Sequence, residues 1–522
     1  MKKMLAVACT IVCALVSYTT LAAAVAANLA STAAEEDRLQ KILPEIFARS
    51  AAHYRALDAA ATPLRFGPDE FFDPGDRSPH SWDPKTGELK MRSIFWWTSG
   101  HYAGSLWYLY EATGEEFFKE RALDWTKHLE PVKTYEGNHD VGFMMWCSYG
   151  NARRILKTKE FDPILLQTAD TLTRRYHEGL GLIRSWGDVT NKHDFLVIPD
   201  NMMNLELLEA ATLLLKGDER FEKISISHAD KSMRNHFRDD GGCYHVLDYD
   251  QREGFLGTVK GIQRGQGLSC RTAWSRGQSW GIYGFTMMYR MTGLRRYLDF
   301  AMKLADYAID HPNMPADGVP YWDYGAPGEE RDTSAASVMA SGLLELSTYV
   351  SPELRKRYRG FAVKQLNSLC TDEYFAKQGE NGDFLLKHGV GHKPGYSEVD
   401  FPLDYGDYYF LEALLRFRRL VADDADLAPI AAKLPAKAGL PADDYLTRFQ
   451  SPNATIDFSP EFEDAYISLD TGSPFCPEVK VEGSAFKLVD EKIDNPGATE
   501  PLRTAVKLDG KISSATISFD FM

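Results

Sequence analysis

Two aspartates, Asp140 and Asp200, each directly precede an apolar segment with helical periodicity. If successive helices of this kind begin at the same end of the fold, the two carboxyl groups face each other there. Such a pair suits general acid/base chemistry, because repulsion between like charges keeps one carboxyl protonated near neutral pH. Inverting glycosidases hold two carboxyl groups about 6.5–9.5 Å apart, with a water between them. Asp is also a favoured N-cap, and capping is the better interpretation of either residue taken alone.

A third aspartate, Asp332, also precedes a helical segment, and we assign it to capping. Other stretches between apolar segments carry groups suited to binding a sugar acid. Trp97 follows Trp96 in one of them, and Arg276 is followed four residues later by Trp280 in another. Indole rings stack on sugar rings and a guanidinium binds a carboxylate through two hydrogen bonds. A hydrophobic lid and a structural ion pair beside core indoles explain the same residues, so both interpretations stay open.

Composition excludes several classes of protein. The 522 residues include 44% hydrophobic and 25% charged residues, as in an ordinary soluble globular protein. The net charge is −15 and no basic run occurs, so binding of nucleic acid or of an anionic membrane has little electrostatic support. The sequence has no zinc-protease, P-loop, dinucleotide-binding or calcium-loop motif. The 10 Trp, 25 Tyr and 28 Phe suit a large core or a cleft that stacks rings.

Helical segments come in pairs that are separated by short turns, several of which contain Gly. The predicted pairs are 102–112 with 115–129, 141–157 with 161–176, 201–215 with 219–234, 274–291 with 295–311, and 333–349 with 352–369, flanked by 34–58 and 408–420. The first helix of each pair is apolar nearly all round and must be buried. Five or six hairpins of about 50 residues predict a closed toroid, an (α/α)6 barrel, with an open solenoid as the structural alternative. In the barrel, the long connections between hairpins gather at one mouth and would build the site.

The two ends of the chain differ from this helical region. Residues 1–26 have the charged, apolar and small-residue pattern of a cleaved signal peptide, and an uncleaved anchor is the runner-up. We therefore expect secretion across the inner membrane, into the periplasm, and a mature chain without a membrane span. Beyond the 34–420 barrel we predict a linker at 421–442 and a small β-rich extension at 443–522, with strand segments at 454–458, 465–469, 486–489 and 513–521. The five later cysteines have no metal-ligand spacing and no sign of a disulfide framework.

Taken in order, these segments resemble glycoside hydrolase family 88, the unsaturated glucuronyl hydrolases. The matching pieces are Trp-Thr-Ser-Gly at Trp97, His-Asp-Val-Gly-Phe-Met at His139, Ile-Arg-Ser-Trp at Ile183, Asp-Asn-Met-Met-Asn-Leu-Glu-Leu-Leu at Asp200, Trp-Ser-Arg-Gly-Gln-Ser-Trp at Trp274 and Asp-Tyr-Tyr-Phe-Leu-Glu-Ala-Leu at Asp407. The match covers roughly residues 34–420. It implies an (α/α)6 barrel.

The resemblance also implies an activity, the removal of a 4,5-unsaturated uronic acid from oligosaccharides made by polysaccharide lyases. Asp200 matches the general acid/base, which protonates C4 of the double bond and activates water for attack at C5. Asp140 matches the second carboxylate, which supports Asp200. The positions that line the substrate pocket are Trp97, Trp186, His245, Gln266, Arg276 and Trp280. The implied mechanism needs no metal or organic cofactor.

Several alternatives remain at this stage. A related family, the unsaturated rhamnogalacturonyl hydrolases, shares the barrel and the hydration chemistry. An ordinary inverting glycosidase would use Asp140 and Asp200 on saturated sugars, and a non-catalytic glycan-binding protein would use every Asp as a cap. The sequence departs from the family pattern at Cys270, Arg271 and Thr272. The added charge of Arg264 and Arg271 suggests a sulfated neighbouring sugar. Which lyase product is preferred and the oligomeric state stay open.

Overall fold

The computed structural model describes residues 33–215, 218–421, 464–470, 488–491 and 503–509. The predicted signal peptide at 1–26 lies outside the described residues, as do residues 422–442 of the predicted linker and most of the extension at 443–522. Within the described ranges, the elements are twelve α-helices, four short 3-10 helices and thirteen strands.

The helices alternate between an inner and an outer position. The outer helices are α1 (33–61), α3 (Glu116–His128), α5 (Asp162–Thr173), α7 (Arg220–Asn235), α9 (Arg295–Asp310) and α11 (Pro352–Leu369). The inner helices are α2 (Ser99–Thr113), α4 (Val141–Met145 and Asn151–Leu156, joined by a π-helical turn at Trp146–Gly150), α6 (Asn201–Leu214), α8 (Ser275–Thr292), α10 (Thr333–Leu346) and α12 (Asp404–Val421). Every predicted hairpin is present.

The inner helices form a closed ring. Each packs on the next, from α2 through α4, α6, α8 and α10 to α12, and α12 packs back on α2. Outer helices α3, α7, α9 and α11 each pack on the inner helix that precedes them. This closure confirms the (α/α)6 barrel and excludes the open solenoid.

Residue patterns explain which helix lies where. All of α10 is buried, as are Ser275–Met288 of α8, so these helices have no polar face to turn to solvent. Outer helix α9 buries only one stripe of residues. Short turns return the chain to the outer ring, and two of them end the inner helix at Gly114 (φ 73°) and Gly293 (φ 69°), a left-handed conformation that favours glycine.

Small sheets lie on the long connections that lead into the inner helices. The strands are β1 (Phe66–Gly67), β2 (Gly75–Asp83), β3 (Glu88–Ser93), β4 (Tyr176–His177), β5 (Leu182–Ile183), β6 (Leu196–Val197), β7 (Val246–Tyr249), β8 (Val259–Gln263), β9 (Gly389–His392) and β10 (Ser397–Phe401). They form the antiparallel sheets β1-β2-β3, β4-β5, β6-β7-β8 and β9-β10. Because the six inner helices run parallel, all of these connections meet at one mouth of the barrel.

The C-terminal region contributes one further sheet. Strands β11 (Asp464–Asp470), β12 (Leu488–Glu491) and β13 (Arg503–Asp509) pair antiparallel in the order β11-β13-β12. Two predicted strand segments, 465–469 and 486–489, coincide with or overlap β11 and β12. The segments predicted at 454–458 and 513–521 lie outside the described residues. No helix in the described ranges is long and apolar enough to cross a membrane.

The ring depends on close approach between neighbouring inner helices. A Cβ added at Gly100 of α2 would overlap the backbone of Met144 in α4, and one added at Gly104 would overlap Tyr408 and the carbonyl of Cys147. Such backbone atoms cannot move aside as the end of a flexible side chain can. Glycine at these two positions therefore sets the spacing of α2 and α4.

We expect Gly100→Ala to lower the free energy of unfolding by about 2–3 kcal/mol, because overpacking a core contact forces a backbone shift. Urea denaturation checks the value. Gly75→Ala is the control: its added Cβ would meet nothing closer than 3.7 Å, and a change within about 0.5 kcal/mol is expected. Equal effects of the two substitutions would contradict the packing argument.

Candidate active site

Four aspartates stand at the starts of inner helices and so gather at the same mouth. Asp140, Asp200 and Asp332 are the residues before α4, α6 and α10, and Asp404 is the first residue of α12. Helix N-termini carry partial positive charge, which favours carboxylates at this end of each helix. The four carboxyl groups nevertheless have different surroundings.

Two of the four are paired with a cation. Asp332 Oδ2 lies 3.1 Å from Nη1 of Arg276, and Asp404 Oδ1 lies 3.5 Å from Nδ1 of His80. The Asp332 side chain also accepts hydrogen bonds from the backbone N–H groups of Ser334 and Ala335. The assignment of Asp332 to capping is therefore confirmed.

The side chains of Asp140 and Asp200 accept no capping hydrogen bond from their helices. Asn204, one turn into α6, joins them: its Nδ2 lies 3.5 Å from Asp140 Oδ1 and 3.4 Å from the Asp200 carbonyl oxygen. Its Oδ1 accepts a hydrogen bond of 2.7 Å from the N–H of Phe143. The capping interpretation thus fails for the pair, and the two carboxyl groups are available for chemistry.

Burial sets the protonation of Asp200, whose side chain is only 9% exposed. Burial raises its pKa to about 6, the nearby His139 imidazole opposes the rise, and the charge of Asp140 adds to it. Asp140 is more open and lies 3.2 Å from Nε2 of His139. The pair therefore provides one carboxyl that holds a proton near neutral pH and one that supports it, as a general acid requires.

His245 faces Asp200 from the connection before β7. Its Nδ1 accepts a hydrogen bond of 2.7 Å from the backbone N–H of Gln266. Burial lowers the pKa of His245 to about 3, so the ring is neutral and its proton is on Nε2. That Nε2 lies 4.0 Å from Asp200 Oδ2 and has no hydrogen-bond partner among the described residues. His245 therefore offers a neutral N–H donor beside Asp200.

Arg276 and Gln266 both hold the β9–β10 hairpin. Arg276 donates to the carbonyl oxygens of Val390 and Gly391, the latter at 2.8 Å, and Gln266 Nε2 donates to Gly391 at 3.0 Å. Arg276 is 1% exposed and packs on the rings of Trp274 and Tyr405. The contacts of Arg276 are thus those of a structural ion pair. The charge of Arg276 also lowers the pKa of Asp200.

The three predicted indoles differ in exposure. Trp97 packs 4.7 Å from the Tyr405 ring and is partly exposed. Trp186 is 39% exposed and forms a backbone bridge with Asn138, two residues before Asp140. Trp280 is fully buried, 5.3 Å from the ring of Phe143. Trp97 and Trp186 can thus contact a ligand, whereas Trp280 supports Phe143 from below.

Sequence reasoning named neither Asn204 nor His139 as site residues. Both were inside quoted motifs, and the four-residue step from Asp200 to Asn204 is the signal that could have identified the amide. Tyr405, Asp404 and His80 reach the mouth from distant parts of the chain and had no local signal. Across the described ranges, no three His, Cys, Asp or Glu side chains form a group that could hold a metal ion.

Comparisons with known proteins find chains of similar sequence and fold. The unsaturated glucuronyl hydrolase of Formosa agariphila is 40% identical over 329 residues, which are 62% of this chain and 80% of that protein. The unsaturated chondroitin disaccharide hydrolase of Streptococcus pyogenes serotype M1 is 33% identical over 372 residues, 70% of this chain and 90% of that protein. The crystal structure of an unsaturated glucuronyl hydrolase specific for heparin superposes with a TM-score of 0.66 at 38% identity, covering 74% of this chain and 99% of that one. No family model matches the sequence.

We expect Asp200→Asn to stabilise the fold at pH 8. Folding raises the pKa of this carboxyl from 3.8 to about 6. Its contribution to the free energy of folding therefore becomes increasingly unfavourable as pH rises above 3.8 and reaches its full size above about 6. Removing its charge should add about 3 kcal/mol to the free energy of unfolding at pH 8 and little at pH 4. Urea denaturation at both pH values measures this, and a gain that is equal at both would contradict the electrostatic cause.

Proposed function

The chain belongs to the unsaturated glucuronyl hydrolase family, and we propose that it removes the 4,5-unsaturated glucuronyl residue from the non-reducing end of polysaccharide-lyase products. The observation that carries the proposal is the pair formed by Asp140 and Asp200. Neither carboxyl caps its helix, Asn204 lies between them, and burial raises the pKa of Asp200 to about 6. That arrangement provides a protonated acid at a pH where most carboxyl groups are charged.

The reaction begins as hydration of the C4=C5 double bond. Asp200 gives its proton to C4, and the ring oxygen stabilises the positive charge that develops at C5. Water then adds to C5 and returns a proton to the Asp200 carboxylate, which leaves a hemiketal. Opening of the sugar ring breaks the bond between C5 and the ring oxygen, and collapse at C1 expels the neighbouring sugar. Water is the only co-reactant.

The surroundings of Asp200 support each proton transfer. Burial is the main cause of the raised pKa of Asp200, charge repulsion from Asp140 adds to it, and Asn204 fixes Asp140 through its amide. The N–H of His245 points toward Asp200 and provides a fixed neutral donor for a substrate oxygen or the attacking water. Trp97 and Trp186 provide aromatic surface for the sugar rings.

Two alternative activities would use the same catalytic residues. An unsaturated rhamnogalacturonyl hydrolase would perform the same hydration on galacturonyl substrates. An inverting glycosidase would need the second carboxyl to activate water on a saturated sugar. A glycan-binding protein without catalysis is disfavoured, because it has no use for two aspartates at the mouth that do not cap their helices, one of them buried.

We also propose that residues 1–26 direct export to the periplasm. The support is the sequence pattern, in which Lys2 and Lys3 precede an apolar run that ends in small residues. Lyases that degrade extracellular polysaccharides release charged oligosaccharides, and a periplasmic hydrolase would meet these products after uptake across an outer membrane.

A sulfated neighbouring sugar is the finer substrate proposal. Arg264 follows β8 directly. Burial lowers the pKa of His392 on the hairpin that contacts Gln266, and the charges of Arg276 and, less strongly, Arg264 add to this effect. Arg271 lies on the same connection, between Gln266 and α8. Two cations on this side of the mouth provide a complementary charge for a sulfate group.

We expect wild-type protein to abolish the ultraviolet absorbance of the conjugated C4=C5 bond in a panel of lyase-generated disaccharides. Asp200→Asn should be slower by about 10²–10⁴-fold, because it removes the general acid. Wild-type kcat should fall as pH rises through about 6, since the acid must be protonated.

Asp188→Asn is the matched control. Asp188 lies on the connection that leads to Asp200 and accepts a hydrogen bond from the N–H of Thr190, which Asn can also accept. Its turnover should equal that of the wild type. Faster turnover of galacturonyl substrates would support the rhamnogalacturonyl alternative, and release of sugar from saturated glycosides alone would support the inverting glycosidase.

For the sulfated substrate, we expect Arg264→Ala and Arg271→Ala each to raise KM about 5- to 20-fold on a sulfated disaccharide and to leave KM on its unsulfated counterpart unchanged. Steady-state absorbance assays on the two substrates measure the difference. Equal KM values for both substrates in the wild type and in both variants would refute the sulfate proposal.

A further inference from the structure

The β9–β10 hairpin is built on an unfavourable backbone. Four non-glycine residues in and beside it have positive φ: His388 (61°), Tyr396 (56°), Glu398 (47°) and Asp400 (65°). Non-glycine residues rarely adopt this conformation, which persists only where the surroundings enforce it. The hairpin nevertheless supplies the carbonyl groups that hold Arg276 and Gln266. Something outside the hairpin must therefore keep it in place.

Besides Arg276 and Gln266, the His80 side chain on β2 reaches the hairpin. The imidazole is almost fully buried and lies between three other elements. Its Nε2 is 3.4 Å from Glu398 Oε1 on β10, and its Nδ1 is 3.0 Å from Thr98 Oγ1 before α2 and 3.5 Å from Asp404 Oδ1 on α12. One ring thus joins the hairpin to the starts of two inner helices.

The charges around this ring favour an imidazolium. The groups that face it are the carboxylates of Glu398 and Asp404, with Arg92 of β3 at 3.9 Å from Glu398 and His101 on α2. Burial alone would lower the pKa of His80, but hydrogen bonds to Asp404 and Glu398 raise it to about 9. The same contact lowers the pKa of Glu398 to about 2 against the effect of burial.

Each carboxylate partner of His80 is connected through a neighbouring residue to Arg276 of the site. Glu398 lies on β10, whose Val399 pairs with Val390 of β9, and the Val390 carbonyl accepts from Arg276. Asp404 precedes Tyr405, whose ring lies 5.2 Å from the Arg276 guanidinium and 4.7 Å from Trp97. Displacement of either partner would therefore move the groups that pack around Arg276.

We propose that the His80 imidazolium is a positioning residue of this enzyme: it clamps the β9–β10 hairpin and the start of α12 so that Arg276 and Trp97 are held in place for the substrate. The consequence for kinetics rests on the proposed function, whereas the clamp itself does not. His80 acts through Glu398 and Asp404 and is not assigned a contact with substrate.

The test compares His80→Gln, Glu398→Gln and the double variant with wild-type protein. His80→Gln should raise KM at least 10-fold with kcat changed less than 3-fold, because the pocket walls contact substrate in the ground state and the transition state alike. Amide hydrogen exchange of residues 389–401 should quicken in the same variant. Wild-type KM should rise as pH passes about 9, where the imidazolium loses its proton, and KM of His80→Gln should be flat there.

Two controls separate the clamp from general destabilisation. His128→Gln removes another imidazole bonded to β2, at the Arg77 carbonyl, and should change neither KM nor hairpin exchange. Glu398→Gln removes the charge through which His80 holds the hairpin and keeps the contact of His80 with Asp404, so it should reproduce both effects if His80→Gln fails to fold. The double variant should be no worse than the worse single one.

The proposal would be overturned if folded His80→Gln, or Glu398→Gln, had the same KM as the wild type and the same rate of amide hydrogen exchange at residues 389–401. Absence of turnover by wild-type protein on every unsaturated disaccharide would instead refute the proposed function. Hairpin exchange would still test the clamp in that case.

Discussion

The site depends on one constraint, the parallel direction of the six inner helices. A ring of outer and inner helices in strict alternation makes every inner helix begin at the same mouth, so six partial positive charges converge there. This explains how a chain of net charge −15 can bind an acidic sugar. The opposite mouth collects the negative ends, and there Arg290 is paired with Glu206 and Glu345, and Arg416 with Glu345. The cations at that end compensate the helix ends and the glutamates together.

The same constraint gives four aspartates equivalent positions, and their partners then make them different. Arg276 pairs with Asp332 and His80 pairs with Asp404, although burial still raises the pKa of Asp404 to about 6, which leaves Asp140 and Asp200 as the pair without a strong cation. His139 and the charge of Arg276 moderate the pKa of Asp200 without reversing the effect of burial. A buried carboxyl of this kind opposes folding, and a large barrel core can tolerate that cost where a small domain could not.

Sequence patterns predicted the hairpins closely because the information is local. The predicted helix 201–215 compares with Asn201–Leu214, and the turn residues Gly114 and Gly293 have the left-handed φ that such turns need. The roles of the aspartates were not predictable from spacing, since the sequence at the start of a helix is similar whether or not its Asp caps the helix. What separates Asp332 from Asp200 is Arg276, which lies on a different hairpin. His80 and Asp404 are more distant still, at opposite ends of the barrel sequence.

Trp280 shows a second reason why the sequence could not predict every site residue. It follows Arg276 by one helical turn and shares its face, which made it a plausible stacking residue. Yet α8 is buried all round, and a step of four residues moves about 6 Å down the helix axis, away from the mouth. Only the first turn of an inner helix lies at the mouth, so the barrel itself supplies the acid Asp200 there, together with Arg276, which holds the β9–β10 hairpin. Aromatic and amide contacts must come from the connections, as with Trp97, Trp186 and Gln266.

The connections are not constrained by the geometry of the ring, and the strained β9–β10 hairpin is among them. Chemistry is thus fixed by the barrel, while the shape of the pocket depends on how firmly each connection is anchored to it.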